Sequence, residues 1–489
     1  METRKKIGFF LGPVLFLLAY FLPFLPQNPN AHHLLSVFLL IVVWWVTECI
    51  PIPATALLIP VFLTALHICP VQEAFAPFAN PIIMLFLGSF VLARAMCVHG
   101  LDRKLAYSVL SFKSIANKKT SVLFALGLTS VFLSLWISNT ATTAMMYPIA
   151  LGVLDAFREG KEENQKSSFS VVLLLTLAYS ASIGGIGTPI GSPPNLIAIG
   201  MLERLVDYRV TFFQWMVIGF LIMIPMYFVL FFLMKWKLRK YKGESVKGKA
   251  LFSKENKSQS RLSRAQRNVL IAFSVTVFLW IFPGFVSLVW GREASLYKWF
   301  HGHFPESVAA IIGASLLFFL PVKLKQGEFT FSLKEALHID WGTLLLFGGG
   351  LSLGFQMFET GLADAIGKFF ISMGGSSASL SLITLLSVTF SIFLTELTSN
   401  TASANMIIPI IIAISNAAAI NPLSPVLGCA MGCSFAFMLP VATPPNAIIY
   451  GSGMIRLPQM MRIGFWLNVA GIIVIWLGVR FLAPLLNLF

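Results

Sequence analysis

The chain has 489 residues, of which 57% are hydrophobic and only 11% charged, with a mean hydropathy of +0.82 and a formal net charge of +15. Soluble domains carry roughly 25% charged residues, so composition excludes a water-soluble fold and indicates an integral membrane protein. The positive charge does not signal nucleic acid here, because the basic residues cluster between apolar runs, as they do in cytoplasmic loops.

Apolar runs of about 20 residues, the length that crosses a hydrocarbon core, recur from the N-terminus onward. The first, Ile7 to Leu25, follows Arg4-Lys5-Lys6 but contains Pro13 and Pro23 and lacks a small-x-small cleavage site, so it reads as a retained first span. Spans follow at about 32–50, 53–68 and 81–98. A basic connection (Arg103, Lys104, Lys113, Lys118, Lys119) leads to a polar-headed region at 121–154, then to spans at about 169–200 and 212–234. The most charged stretch, Lys235 to Arg267, precedes spans at about 269–290, 305–322 and 341–358. A second polar-headed region at 380–418 and spans at about 424–450 and 463–486 complete the chain.

The two polar heads match. Ser138-Asn139-Thr140 recurs as Ser399-Asn400-Thr401, and Pro148 and Pro409 stand at the same offset. Each head is followed by a Pro-broken span, Gly184 to Asn195 and Leu439 to Asn446, both ending Pro-Pro-Asn. Consecutive prolines remove backbone donors and break a helix. Unwound backbone at membrane depth survives only against protein or a wet cavity. Broken helices present N-termini to anions and free carbonyls to cations. Asn offers an amide donor to a carboxylate and an oxygen to a cation, and Ser and Thr hydroxyls serve either. None of the four elements contains Arg or Lys. A dianion held by neutral donors needs bound cations to offset its charge, which points to a secondary transporter.

With a cytoplasmic N-terminus and each polar-headed region as a re-entrant hairpin, all but six of the 35 basic residues fall on the cytoplasmic side. The exceptions are Arg204, Arg209, Arg292, Lys298, Lys368 and Arg480. The expected fold class is an all-α polytopic membrane protein of the cell membrane, with about 11 transmembrane helices plus two re-entrant hairpins and the C-terminus outside. An odd number of crossings separates the hairpins, so the halves are inverted repeats with a site near the midplane.

Leu135 to Met146 resembles the first signature of the divalent anion/sodium symporter family. Thr395 to Ala402 and Leu439 to Asn446 resemble its second half, and the latter is similar to the form found in the sodium-coupled di- and tricarboxylate branch. The likeness covers essentially the whole chain. It implies one sodium site at Ser134, Ser138, Asn139 and the carbonyl of Gly187, and a mirror site at Thr395, Ser399, Asn400 and the carbonyl of Ala442. A dicarboxylate would lie between them, with Asn139, Thr140 and Thr188 on one carboxylate and Asn400, Thr401, Thr443 and Pro444 lining the other. Asn195 and Asn446 would brace the hairpins. The resemblance further implies a homodimeric elevator. Its scaffold would be residues 1–98 and 269–358, its transport parts 99–240 and 359–489, and its basic cytoplasmic linker 241–268.

Glu396, ionisable beside a site motif, is either held in a structural bond inside its hairpin or tunes the second sodium site. Cys429 and Cys433, beside Gly428 and Gly432, read as a helix-packing face. Gly348-Gly349-Gly350 lacks a following Lys-Ser/Thr and is not a P-loop. The expectation is a sodium-coupled symporter importing C4-dicarboxylates such as succinate, malate or fumarate, with no organic cofactor, enzymatic activity or nucleic-acid partner. A sodium-independent dicarboxylate exchanger, or citrate or sulfate as main substrate, is the alternative.

Overall fold

The computed structural model describes residues 3–110, 118–157, 168–239, 261–374 and 379–482; most of the expected linker 241–268 lies outside them. Helices α1 (Thr3–Phe21), α2 (Pro29–Thr47), α3 (Ile52–Ala65), α4 (Val71–Phe75) and α5 (Pro81–Val98) come first. Next are α6 (Leu101–Leu110), α7 (Lys119–Ser134), α8 (Asn139–Ala156), α9 (Ser168–Gly185), α10 (Pro193–Val206) and α11 (Phe212–Arg239). The second half opens with α12 (Arg264–Trp290), α13 (Ser295–His303) and α14 (Glu306–Phe319). An antiparallel pair, β1 (Pro321–Lys323) and β2 (Glu328–Phe329), precedes α15 (Leu333–Ala336), α16 (Trp341–Glu359) and α17 (Leu362–Gly374). It closes with α18 (Leu380–Thr395), α19 (Asn400–Ala417), α20 (Leu423–Cys433), α21 (Pro444–Tyr450) and α22 (Leu457–Leu482).

Local chemistry explains the boundaries. Pro29, Pro81 and Pro193 sit in first turns, where a missing N–H is no loss. Asn28 and Asn80 accept from the N–H groups of Ala31 (3.1 Å) and Ile82 (2.9 Å). Ser263 and Gln266 form a capping box that opens α12. The span expected to reach 322 stops at Phe319, two residues before Pro321, and gives way to the β-hairpin.

The series α5–α6, hairpin α7/α8, broken pair α9/α10, α11 recurs as α16–α17, hairpin α18/α19, broken pair α20/α21, α22. Among the described residues six helices are long and apolar enough to cross a bilayer, or seven if α13 and α14, bent by 60°, count as one span. Of the crossings read from sequence, α1, α3, α9, α16 and α20 are too short or not apolar enough to be among these, whereas α19, an arm of the second hairpin, is; α10 and α21 continue α9 and α20 beyond their breaks.

α5 packs on α14 and α3 on α16, joining the two halves. A Cβ on Gly88 would lie 2.6 Å from the Ala310 carbonyl, and one on Gly349 2.5 Å from that of Ala56, so these helices meet backbone to backbone. The hairpins pack on the broken spans, α7 and α8 on α9 and α18 and α19 on α20. Gly428 and Gly432, beside the buried Cys429 and Cys433, receive Val388 and Ser391 of α18. Large apolar side chains face outward, Phe21 being 75% and Phe481 67% exposed, as suits a lipid-facing surface.

Candidate functional site

Both hairpin tips fold alike. Ser138 caps α8 and accepts from Ala141 N; Ser399 caps α19 and accepts from Ala402 N, each at 3.2 Å. A Ser cap satisfies one orphan donor of a helix start, which is why each polar triplet sits at such a start. Across the tips, Ser134 Oγ donates to Asn139 Oδ1 (2.6 Å) and Thr395 Oγ1 to Asn400 Oδ1 (2.7 Å). Thr395 Oγ1 also lies 2.9 Å from the Cys433 carbonyl. Each tip gathers neutral oxygens, the donor type that suits a hard cation.

The breaks also share one pattern. Asn195 Nδ2 donates to the carbonyls of Gly185 and Thr188 (both 2.8 Å), and Asn446 Nδ2 to those of Ala436 and Leu439 (2.9 and 3.0 Å). These bonds satisfy carbonyls freed by the interruption of the helix. Asn195 and Asn446 therefore brace their own unwound segments, not the hairpins, which corrects the expectation. The acceptors stand ten and seven residues before each Asn. This register makes Ser192 the counterpart of Thr443 and Gly191 that of Ala442.

A cavity of about 530 Å³ lies between the two hairpin heads. Ser138, Asn139 and Thr140 line it from one side and Ser399, Asn400 and Thr401 from the other. The breaks contribute Gly191, Ser192, Ala442, Thr443 and Pro444, and the start of α16 contributes Asp340 and Thr343. The N-cap residues of five helices, Ser138, Ser192, Asp340, Ser399 and Thr443, thus face one space. Their dipoles present positive ends there. Among its described lining residues there is no Lys or Arg, and the single charged side chain is Asp340.

Ser134 and Thr395 are buried behind this lining, bonded to Asn139 and Asn400. Thr188 and Gly187 are not brought to the cavity. Thr188 is fully buried, gives its hydroxyl hydrogen to the Leu135 carbonyl and accepts from Gly191 N at 3.1 Å, so its polar capacity is used within the protein. The Gly187 carbonyl packs on α11, where a Cβ on Gly219 would lie 2.9 Å from it. Gly191 lines the cavity instead: a Cβ there would stand 2.6 Å from the Gly185 carbonyl and 2.8 Å from that of Ser134. A Cβ on Gly185 would run into Asn139 Oδ1. Sequence reading missed Gly191 and Ser192 because Thr188-Pro189 imitates Thr443-Pro444; counting back from Pro-Pro-Asn finds them. Asp340 and Thr343 belong to no repeated motif, and their only signal is the cap they form. Asp340 Oδ1 accepts from Thr343 N (3.0 Å) and Oδ2 from Thr343 Oγ1 (2.6 Å).

Glu396 makes a structural bond, but to the break and not inside its hairpin. Its carboxylate, 4% exposed, accepts from the N–H groups of Phe437 and Met438 (2.8 Å each) and Leu439 (3.0 Å), and from Asn468 Nδ2 of α22 (2.7 Å). The first half uses neutral bonds instead, Thr188 to Leu135 and Trp215 Nε1 to the Ile186 carbonyl (3.0 Å). The two breaks are joined by Tyr179 OH donating to the Phe437 carbonyl (2.6 Å) and by the Ser192–Ser434 hydroxyl pair (2.9 Å).

The family described as "Sodium:sulfate symporter transmembrane region" matches residues 5–488. The chain is 35% identical to the sodium-dependent dicarboxylate transporter SdcS of Staphylococcus saprophyticus, over 99% of this chain and 92% of that protein. It is 34% identical to the SdcS of Staphylococcus aureus (strain MRSA252), with the same coverage. Its fold is similar to that of the YdaH transporter of Alcanivorax borkumensis, with a TM-score of 0.55 at 13% identity over 99% of this chain and 98% of that one. It is similar also to MtrF of Neisseria gonorrhoeae, with a TM-score of 0.57 at 13% identity over 96% and 97% of the two chains.

Proposed function

The chain belongs to the sodium:sulfate symporter family, and from that premise we propose that it is a sodium-coupled symporter importing C4-dicarboxylates such as succinate, malate and fumarate. The observation that carries this reading is the convergence of five helix N-caps and two hydroxyl–amide oxygen pairs on one cavity without a basic side chain among its described lining residues. Helix N-termini supply only partial charge, about half a unit each. A doubly charged anion held there gains from full charges beside it, and two bound cations supply them. The SdcS relatives, named as sodium-dependent dicarboxylate transporters, support the same pairing of ion and substrate.

In this reading one sodium ion is held by Ser134, Ser138 and Asn139 with the backbone around Gly185 and Gly191, and the other by Thr395, Ser399 and Asn400 with the Ala442 carbonyl. The substrate lies between them. Asn139, Thr140 and Ser192 take one carboxylate, and Asn400, Thr401, Thr443 and Pro444 line the other. Residues 1–98 and 269–358 form the scaffold of a homodimer, against which 99–240 and 359–489 move as an elevator. The N-terminus is cytoplasmic and the C-terminus outside. One sequence neighbourhood and one contact favour a cytoplasm-open arrangement. Asp340 and Thr343, which line the cavity, follow the basic segment Lys323 to Lys334. Arg4, in the basic N-terminal segment, donates to the Leu397 carbonyl at the tip of the second hairpin (2.7 Å). Basic segments face the cytoplasm.

Uptake of labelled succinate into proteoliposomes tests the reading. It should require an inward sodium gradient; equal uptake in choline would contradict coupling, and uptake only into vesicles preloaded with dicarboxylate would favour an exchanger. Competition by citrate and by sulfate, the anion in the family's description, ranks the alternative substrates.

A further inference from the structure

Asp340 is an acidic side chain in a cavity read here as an anion site. It comes from α16, outside both hairpins and both breaks, and both its oxygens are held by Thr343, at 3.0 and 2.6 Å. The carboxylate is therefore fixed in place. Capping alone does not explain it, since Ser, Thr or Asn caps a helix about as well. The negative charge itself is what Asp340 adds to the cavity.

We propose that Asp340, on the scaffold part at the cytoplasmic opening, limits the charge of the anion that the cavity holds in this arrangement, admitting carboxylates with two negative charges and discriminating against those with three. This rests on the reading of the cavity as a sodium-coupled carboxylate site and names the feature that selects among carboxylates. Volume does not make that selection: about 530 Å³ accommodates a six-carbon tricarboxylate as well as a four-carbon dicarboxylate. Two cations neutralise a dianion. A third carboxylate has no cation of its own, and no Lys or Arg lines the cavity among the described residues. It would meet Asp340. One extra unit charge at about 6 Å from a like charge in a hydrated site lowers affinity roughly threefold to tenfold.

The test compares labelled succinate with tricarballylate, an unhydroxylated tricarboxylate, in sodium-dependent equilibrium binding to the purified protein at about pH 8, where both are fully ionised. Asp340→Asn removes the charge and keeps the capping oxygen; Asp340→Ser does the same with a smaller side chain, should the first variant express poorly. Thr343→Val frees one carboxylate oxygen and keeps the charge. The ratio of tricarballylate to succinate affinity should rise about threefold to tenfold in both Asp340 variants and stay near wild type in Thr343→Val. An unchanged ratio in the Asp340 variants overturns the proposal, and so does an equal rise in Thr343→Val. Failure of the wild type to bind succinate with sodium would instead overturn the functional reading beneath it.

Discussion

Asn139 and Asn400 each commit Oδ1 to the hydroxyl that ends the preceding hairpin helix, and both line the cavity. In the proposed site, Asn139→Ala or Asn400→Ala would remove a cation oxygen and an anion donor together. Either variant should reduce sodium-driven succinate uptake to background while the purified protein keeps its monodisperse gel-filtration peak. Loss of that peak in both would mean that the amides serve packing. Ser192 and Thr188 make a sharper pair. Ser192 Oγ also pairs with Ser434, so Ser192→Ala should weaken apparent succinate affinity about threefold to tenfold, the loss of one hydrogen bond to the anion, whereas Ser434→Ala, which removes only the partner, should not. Thr188→Val leaves the Leu135 carbonyl and Gly191 N–H without their partner and should lower stability by about 1–3 kcal/mol. Thermal melting and succinate titration read the two effects separately. The opposite pattern would return Thr188 to the binding site.

The second break differs from the first in depending on a buried acid. Glu396 receives three backbone N–H groups and Asn468, and these bonds hold the stretch that leads to Ala442. In Glu396→Gln the side-chain amide nitrogen would turn toward donors. That variant should lower the melting temperature and weaken apparent sodium affinity several-fold, with a smaller effect in Asn468→Ala. A sodium curve that does not move while succinate affinity falls would separate Glu396 from the cation site. The elements themselves were legible beforehand: the repeated Ser-Asn-Thr heads, prolines and apolar runs placed the polar-headed regions at 121–154 and 380–418, close to the observed Lys119–Ala156 and Leu380–Ala417. Partners distant in the chain were not. Nothing beside Glu396 in the sequence announces Phe437 or Asn468, and nothing beside Asp340 announces the hairpin heads. The β-hairpin escaped because Pro321-Val322 reads as the tail of an apolar run. The register of the first break was ambiguous because Thr188-Pro189 and Ser192-Pro193 compete as the counterpart of Thr443-Pro444.

For the whole molecule, the proposed elevator requires the second hairpin's tip to leave the end of α1 during each cycle. Arg4 now bridges the carbonyls of Val46 and Leu397, and Thr398 Oγ1 donates to the Trp45 carbonyl (3.1 Å). In a background lacking the native thiols, joining Arg4→Cys to Leu397→Cys with a short bismaleimide should stop uptake. Each single variant treated alike should remain active. Full uptake by the cross-linked protein would mean that these parts do not move apart. The central claim, that two repeated half-sites make one cation-dependent pocket, is tested most directly by equilibrium binding of labelled succinate to the purified protein as sodium replaces choline. One succinate per chain should bind, with a sodium Hill slope above one, and binding should vanish in choline and in either Asn139→Ala or Asn400→Ala. Binding that ignores sodium, or that survives in one of the two variants, would contradict it.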